Sequence, residues 1–112
     1  MPTQAEIIIG KTLPKIAEAL HSVKDEDEFL KQASIKIQET MEDIMREYLS
    51  GPPTAARRKE AVDTLNIQHK TYIINQLCTE GMSEIAAQRL IKSCLSAIKD
   101  IVNTAVGFCF IP

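Results

Sequence analysis

The sequence is poor in the residues that build sheets and membrane spans. Among its 112 residues there is no tryptophan, only 4% are aromatic, and there are four glycines. A low aromatic content combined with common Ile, Leu, Ala, Lys and Glu favours helices over strands. The longest uninterrupted apolar runs are only a few residues, so no membrane-spanning helix is expected.

Cysteine and histidine are too few and too scattered to form a recognisable site. The three cysteines, Cys78, Cys94 and Cys109, form no C-x-x-C pair, and the two histidines, His21 and His69, form no H-x-x-x-H pair. We therefore expect no metal, no cofactor and no catalytic residue, and hence no enzyme. Unpaired cysteines and the lack of a charged-then-apolar signal at the start predict a reducing, cytoplasmic location.

The chain also lacks an excess of basic residues. It has 13 Lys and Arg against 15 Asp and Glu, which gives a formal net charge of −2. Nucleic-acid-binding domains usually carry a basic excess, because they neutralise phosphates. The overall charge therefore argues against a nucleic-acid partner, but it does not exclude a local basic patch.

The strongest positive pattern is a long amphipathic stretch, which predicts a helix over 83–105 with Ser83 as its N-cap. At about 100° per residue its apolar side chains fall on one broad face, and polar residues such as Lys92 face away. A helix this apolar on one side needs partner helices to cover it. The predicted core face consists of Ala87, Leu90, Ile91, Cys94, Ile98, Ile101, Val102 and Ala105.

The beginning of the chain predicts a shorter helix. Thr12 as N-cap with Pro14 in the first turn predicts a helix over 12–23. Residues 1–11 are then expected to be irregular or a kinked helical start, and the T-x-x-E spacing that begins at Thr3 also allows a helix to begin there.

A second helix is predicted to end at Leu49. The acidic run 25–28 suits its beginning, because carboxylates there meet the positive end of the helix dipole. Gly51 followed by two prolines ends it, since Gly accepts a left-handed cap and Pro cannot continue a helix.

The third predicted helix begins at Pro53 or Thr54 and ends at Thr79, and its apolar pattern is the least regular. One apolar face contains Val62, Leu65, Tyr72 and Ile73, and a second contains Ile67, Ile74 and Cys78. A helix that is apolar on two sides is either central to the core or shared with a partner.

These elements predict an all-α fold, an antiparallel up-down bundle of three long helices plus a shorter or kinked N-terminal helix. The chain is one domain, 1–112, with an apolar tail at 107–112, and its short joints favour antiparallel neighbours. In such a hairpin the acids near the end of the second helix would lie beside the basic triplet 57–59, so that each offsets the other's unfavourable position on its helix dipole.

The apolar residues exceed what one four-helix core obviously buries, which predicts a non-enzymatic protein–protein interaction module such as an adaptor, small chaperone or regulatory subunit. It would bind partner helices or form a homo-oligomer, with a dimer as the expected form. The predicted partner-binding residues are Ile67, Ile74, Cys78, Phe108, Phe110 and Ile111. The alternative is a nucleic-acid-associated regulator that binds anions through Arg57, Arg58, Lys59 and Arg89.

Overall fold

All regular secondary structure in the part of the chain that the structure describes is helical. The computed structural model describes residues 3–23 and 28–111, except for the side chain of Glu28. Helices make up 84% of these residues. The acidic run 25–28, expected at the beginning of the second helix, lies outside the described residues apart from the backbone of Glu28.

The first helix, α1, spans Gln4–His21 and runs straight through the predicted boundary at Thr12. Its N-cap is Thr3, whose hydroxyl accepts a hydrogen bond of 3.2 Å from a main-chain N–H of the first turn. Thr12 is buried inside the helix and donates to the carbonyl of Ile8 at 2.6 Å, and Pro14 is also an interior residue. The predicted start at Thr12 is therefore wrong, because the earlier cap and a continuous buried stripe outweigh the cost of an interior proline.

The second helix ends at Leu49, as predicted, and the last helix also lies within one residue of its predicted ends. The left-handed cap expected at Gly51 is wrong, because among the described residues only Gly81 and Gly107 have a positive φ. The prolines that follow Gly51 suffice to end the helix.

Helix α2 spans Glu28–Leu49, and the last helix, α5, spans Glu84–Val106. Ser83 caps α5 with its hydroxyl, and Gly107 ends it in the left-handed conformation at φ 83°. Most of the predicted core face of α5 is buried, namely Ala87, Leu90, Ile91, Cys94, Ile98 and Val102.

The third predicted helix is continuous but changes its winding midway. It consists of α3, Ala55–Asp63, a π-helical segment, Thr64–His69, and α4, Lys70–Thr79. A π turn holds one more residue than an α turn. Leu65 and Ile73 are eight positions apart, which overshoots two α turns by about 80°. The extra residue removes this overshoot, and both side chains are buried.

Helix α2 is the element that every other helix contacts. Helix α5 packs against α1, α2 and α4, whereas α1 and α4 make no close backbone contact within the described residues. The residues shared by these contacts form one apolar core, which includes Ile16, Leu20, Ile37, Met41, Leu65, Leu77, Ile98 and Val102.

Candidate functional site

The surface of the π-helical segment is the candidate site, because it combines irregular winding with an exposed apolar side chain. Lys70 donates its main-chain N–H to the carbonyl of Leu65, five residues earlier. Leu65 is buried, whereas Ile67 is 68% exposed and is the most exposed large apolar residue of the described chain. π-helical turns interrupt the regular ladder and occur frequently at functional sites.

The π segment is also fixed to α2 by a polar contact. His69 Nδ1 lies 3.3 Å from Thr40 Oγ1; Thr40 is buried and His69 is half-buried. Close by, the ammonium of Lys36 lies 5.9 Å from the centre of the Tyr72 ring. The Thr40–His69 contact joins the π segment to α2, and the Lys36–Tyr72 contact joins α4 to α2 one turn further along, while Ile67 faces solvent.

A wide, open depression borders Ile67. It has a volume of about 480 Å³ and its polar lining carries both signs of charge. The lining residues are Ala56, Lys59, Glu60, Asp63, Thr64, Ile67 and Gln68. Ile67 is thus an apolar side chain bordered by charged residues of both signs. Protein contact surfaces have the same arrangement, in which a polar rim encloses an apolar centre. We call this set of residues the π-segment surface.

The second predicted apolar face of the third helix is divided by the π segment. In an unbroken α-helix, Ile67 and Ile74 would be nearly aligned, because seven residues make almost two turns. The additional residue in the π turn removes that alignment. Ile74 and Cys78 are half-buried and pack against the core, whereas Ile67 faces solvent. The three predicted partner-binding residues of this face therefore do not form one exposed stripe.

The predicted partner-binding residues after α5 also lie mostly inside the chain's own bundle. Phe110 and Ile111 are only 1% and 3% exposed, and Phe108 is half-buried against the core. In this structure Phe110 and Ile111 present almost no surface to a partner, because both belong to the hydrophobic core.

One side chain that the sequence analysis did not single out holds these residues in place. Asn103 Oδ1 accepts hydrogen bonds from the main-chain N–H groups of Phe110 at 2.9 Å and Ile111 at 2.8 Å. Its Nδ2 donates to the carbonyl of Ile111 at 2.9 Å. We call residues 107–111 the tail segment and these three bonds the Asn103 clamp. The only sequence signal was a polar residue on α5 one turn before the terminating glycine.

The basic triplet makes different contacts from those predicted. Arg57 donates to the main-chain carbonyls of Glu47 at 2.5 Å and Pro52 at 3.2 Å, and its guanidinium lies 5.8 Å from the centre of the Tyr48 ring. Arg58 donates to the Tyr48 hydroxyl at 3.4 Å. The acidic end of α2 and the basic triplet therefore lie side by side, as expected, but among the described residues no side chain of the triplet forms an ion pair with an acid of α2. Arg57 instead satisfies carbonyls at the end of α2, where such groups lack helical partners.

The four residues of the nucleic-acid alternative are not gathered in one place. Arg58 also lies over the Phe108 ring, at 5.5 Å from its centre, and Lys59 is exposed beside acidic residues. Arg89 is near the beginning of α5, and α3 makes no close backbone contact with α5. The described structure thus separates Arg89 from the triplet 57–59.

The three cysteines differ in their exposure to solvent. All three are unpaired, and Cys109 is exposed whereas Cys94 is buried. Burial raises the pKa of the Cys94 thiol to about 11, because the thiolate would lose its hydration. Among the described residues there is no group of three side chains placed to hold a metal ion.

A crevice between α2 and α3 is too small for a ligand. Its volume is about 30 Å³, room for about one water molecule. It is lined by Ile44, Glu47, Tyr48, Arg57, Glu60, Ala61 and Thr64.

Within the described ranges, no helix is both long and apolar enough to cross a membrane. In comparisons with protein-family models, curated proteins and solved structures, nothing matches this chain.

Proposed function

We propose that this chain is a non-enzymatic protein–protein interaction module, of the adaptor, small chaperone or regulatory-subunit kind. Its scaffold is an antiparallel up-down bundle, and its binding site is the π-segment surface around Ile67. The observation that carries the proposal is the 68% exposure of Ile67 within a helical turn whose inner side is held by the Thr40–His69 contact.

The order of contacts along α2 supports the antiparallel arrangement. Tyr48 near the end of α2 contacts Arg58, near the beginning of the third helical run. Thr40 contacts His69 further along that run. Residue numbers therefore fall along α2 as they rise along the third helical run, as in an antiparallel helix pair.

The mechanism is burial of an apolar helix face against Ile67, with the charged rim setting the orientation. Amphipathic helices dock in this way through side chains spaced three and four residues apart. Lys59, Glu60 and Asp63 supply both signs of charge around the centre. Such a rim guides the register of the partner and its rate of association more than it adds affinity.

The partner helix comes from another protein or from a second copy of the chain, and for self-association a dimer is the expected assembly. A two-fold dimer uses the same patch on both subunits, so a single substitution changes both halves of the interface. The proposal includes a cytoplasmic location, which the three unpaired cysteines support.

The test is Ile67→Asp, compared with Ile35→Asp as a matched control. Ile35 is also an isoleucine within a helix and is 56% exposed, but it lies on α2, outside the π-segment surface. Both variants should fold, since neither side chain belongs to the core. We expect Ile67→Asp to weaken self-association, or capture of a helical partner, at least tenfold, and Ile35→Asp to leave it unchanged.

Light scattering over a range of concentrations measures self-association, and capture from cell extract with mass spectrometry identifies a partner. Equal behaviour of the two variants would reject the π-segment surface as the interface. A titration with salt distinguishes the nucleic-acid alternative, because binding to phosphates through Arg57, Arg58, Lys59 and Arg89 would weaken steeply as salt rises.

A further inference from the structure

The two most exposed large apolar side chains of the described residues lie on different helical elements. Ile67 on the π segment is 68% exposed, and Ile85 in the first turn of α5 is 66% exposed. Helix α5 makes no close backbone contact with α3 or with the π segment. Ile85 therefore belongs to a second surface, separate from the π-segment surface.

Ile85 begins a basic stripe on the exposed face of α5. Arg89 and Lys92 follow it by four and seven residues, the spacing that places side chains on one face of a helix. All three residues are exposed, and among the described residues neither cation forms an ion pair. The adjacent acid, Glu84, accepts a hydrogen bond of 3.5 Å from Gln88 instead. We call Ile85, Arg89 and Lys92 the basic stripe.

The π-segment surface carries the opposite charge at the same spacing. Asp63 and Glu60 precede Ile67 by four and seven residues, and all three line the depression. Both carboxylates are exposed, and within the described ranges neither forms an ion pair. Among the lining residues that the structure describes, one cation, Lys59, stands against these two acids. The surface therefore has an acidic excess beside its apolar centre.

The two surfaces match when the helices of two copies run antiparallel. Both series advance by four and then seven residues, in opposite directions along the chain, so one register aligns all of their members. The pairs in that register are Ile67 with Ile85, Asp63 with Arg89, and Glu60 with Lys92. The next pair is Ala56 with Ser96, and small side chains there let the two helices approach closely. This register pairs an apolar residue with an apolar residue and each carboxylate with a cation.

A two-fold pairing of the π-segment surface with itself lacks this match. It would place Glu60 and Asp63 of one copy against the same acidic surface of the other, with one Lys59 per copy to offset them. Juxtaposed like charges disfavour association. The charges therefore favour α5 of a second copy over its π segment as the partner helix.

We propose that the partner of the π-segment surface is a second copy of this chain, which docks through its basic stripe. The inference rests on the proposed function, because it uses the same surface and names the helix that covers it. The contact is head-to-tail, so a dimer still presents one free surface of each kind. Further copies then extend the assembly or close it into a ring.

The experiment follows the full chain by sedimentation equilibrium, with one variant for each surface. Ile67→Asp disables the π-segment surface, and Ile85→Asp disables the basic stripe. Both side chains are exposed, and an acid in the first turn of α5 suits the helix dipole, so both variants should fold. Each should weaken self-association by about tenfold or more. Ile35→Asp is the matched control and should leave it unchanged.

Mixing the two variants distinguishes a head-to-tail contact from a two-fold dimer. An equimolar mixture of Ile67→Asp and Ile85→Asp should form dimers and nothing larger, because each variant supplies the surface that the other lacks. A two-fold contact through the π-segment surface would give no such dimer, since it needs Ile67 on both sides. One helix from each copy forms a small interface, so the measurement extends to the highest soluble concentration.

Exchange of charges tests the register. Asp63→Arg and Arg89→Asp should each weaken self-association by about threefold, and the chain that carries both substitutions should recover it. Because α3 and α5 do not contact each other within one copy, this recovery must arise between copies. If an isoleucine variant loses helicity by circular dichroism, the charge variants decide the outcome.

The inference would be overturned by a wild type that stays monomeric, by an Ile85→Asp chain that associates like wild type, or by a mixture that stays monomeric. A double charge variant that fails to recover would also overturn it. The proposed function would survive these results if Ile67→Asp still lost a captured helical partner that Ile35→Asp retained. Equal behaviour of Ile67→Asp and Ile35→Asp would instead reject both proposals.

Discussion

Replacing Asn103 with alanine should loosen the tail segment and lower the stability of the whole bundle. Alanine keeps the helix of α5 intact but removes the three bonds of the Asn103 clamp. The N–H of Phe110 keeps the Phe108 carbonyl at 2.9 Å as an acceptor. Ile111 keeps only a weak contact of 3.7 Å from the Cys109 thiol to its carbonyl.

The loss should therefore come mainly from Ile111. Two of its hydrogen bonds disappear, each worth about 0.5–1.5 kcal/mol net, and a buried N–H is left without a partner at a cost of about 1–3 kcal/mol. Detachment of the segment limits this cost, because water then satisfies the free groups. We expect the free energy of unfolding to fall by about 2–3 kcal/mol.

Urea unfolding followed by circular dichroism measures this loss, and hydrogen exchange locates it. The amides of Phe110 and Ile111 should lose protection in Asn103→Ala while those of α5 keep it. Thr104→Ala is the matched control on the neighbouring exposed position and should change stability by less than about 0.5 kcal/mol. Asn103→Asp should be intermediate, because its carboxylate still accepts from both N–H groups but repels the Ile111 carbonyl.

A double-mutant cycle with Phe110→Ala refines the test. If the clamp and the buried ring stabilise one docked segment, the cost of Phe110→Ala should shrink when Asn103 is already alanine. The reasoning would be refuted by an Asn103→Ala chain that loses less than about 0.5 kcal/mol and keeps both amides protected. Burial of Phe110 and Ile111 alone would then hold the segment.

Two further predictions concern the end of α2 and the buried thiol. A Cβ at position 51 would come within 1.8 Å of the Arg57 guanidinium. Gly51→Ala should therefore be neutral or destabilising in the wild type. In an Arg57→Ala chain the same substitution should stabilise the fold by about 0.4–1 kcal/mol, because alanine reduces the freedom of the unfolded chain. Thermal unfolding measures both effects, and equal changes in the two backgrounds would contradict the Arg57 contacts. Because the pKa of Cys94 rises from 9.0 to about 11 on folding, its contribution to stability is complete below pH 9 and declines as the pH rises towards 11. The difference in free energy of unfolding between wild type and Cys94→Ala, measured in urea, should become smaller over that pH range. Thiol labelling should modify the exposed Cys109 before Cys94. A difference that stays constant with pH, or faster labelling of Cys94, would contradict the burial of Cys94.

The ends of the helices were largely predictable, because the residues that set them act within one turn. Ser83 begins α5 with its own hydroxyl, and Gly107 ends it by accepting a positive φ. The error at Thr12 arose where two local signals competed. A proline in a first turn and a threonine cap at Thr3 both fit the sequence, and the buried stripe of α1, formed on α2 and α5, favoured the longer helix.

The candidate site was predicted only in part, because its geometry depends on the number of residues per helical turn. Ile67 was correctly singled out as an apolar residue beyond the needs of the core, and it is exposed. Its grouping with Ile74 and Cys78 assumed a uniform 3.6-residue turn, and the π segment breaks that assumption. A sequence period alone gives no indication of where a turn will gain a residue.

By itself, the sequence determined the helical class, the number of helical runs and most of the core face of α5, because periodicity and caps are local properties. Only the tertiary structure decided the π winding at Thr64–His69 and the position of Arg57 on the carbonyls of Glu47 and Pro52. The same is true of the burial of Phe110 and Ile111 beside Asn103. Each of these depends on groups far apart in the chain. Their energies exist only once the helices have packed, so no local pattern in the sequence records them.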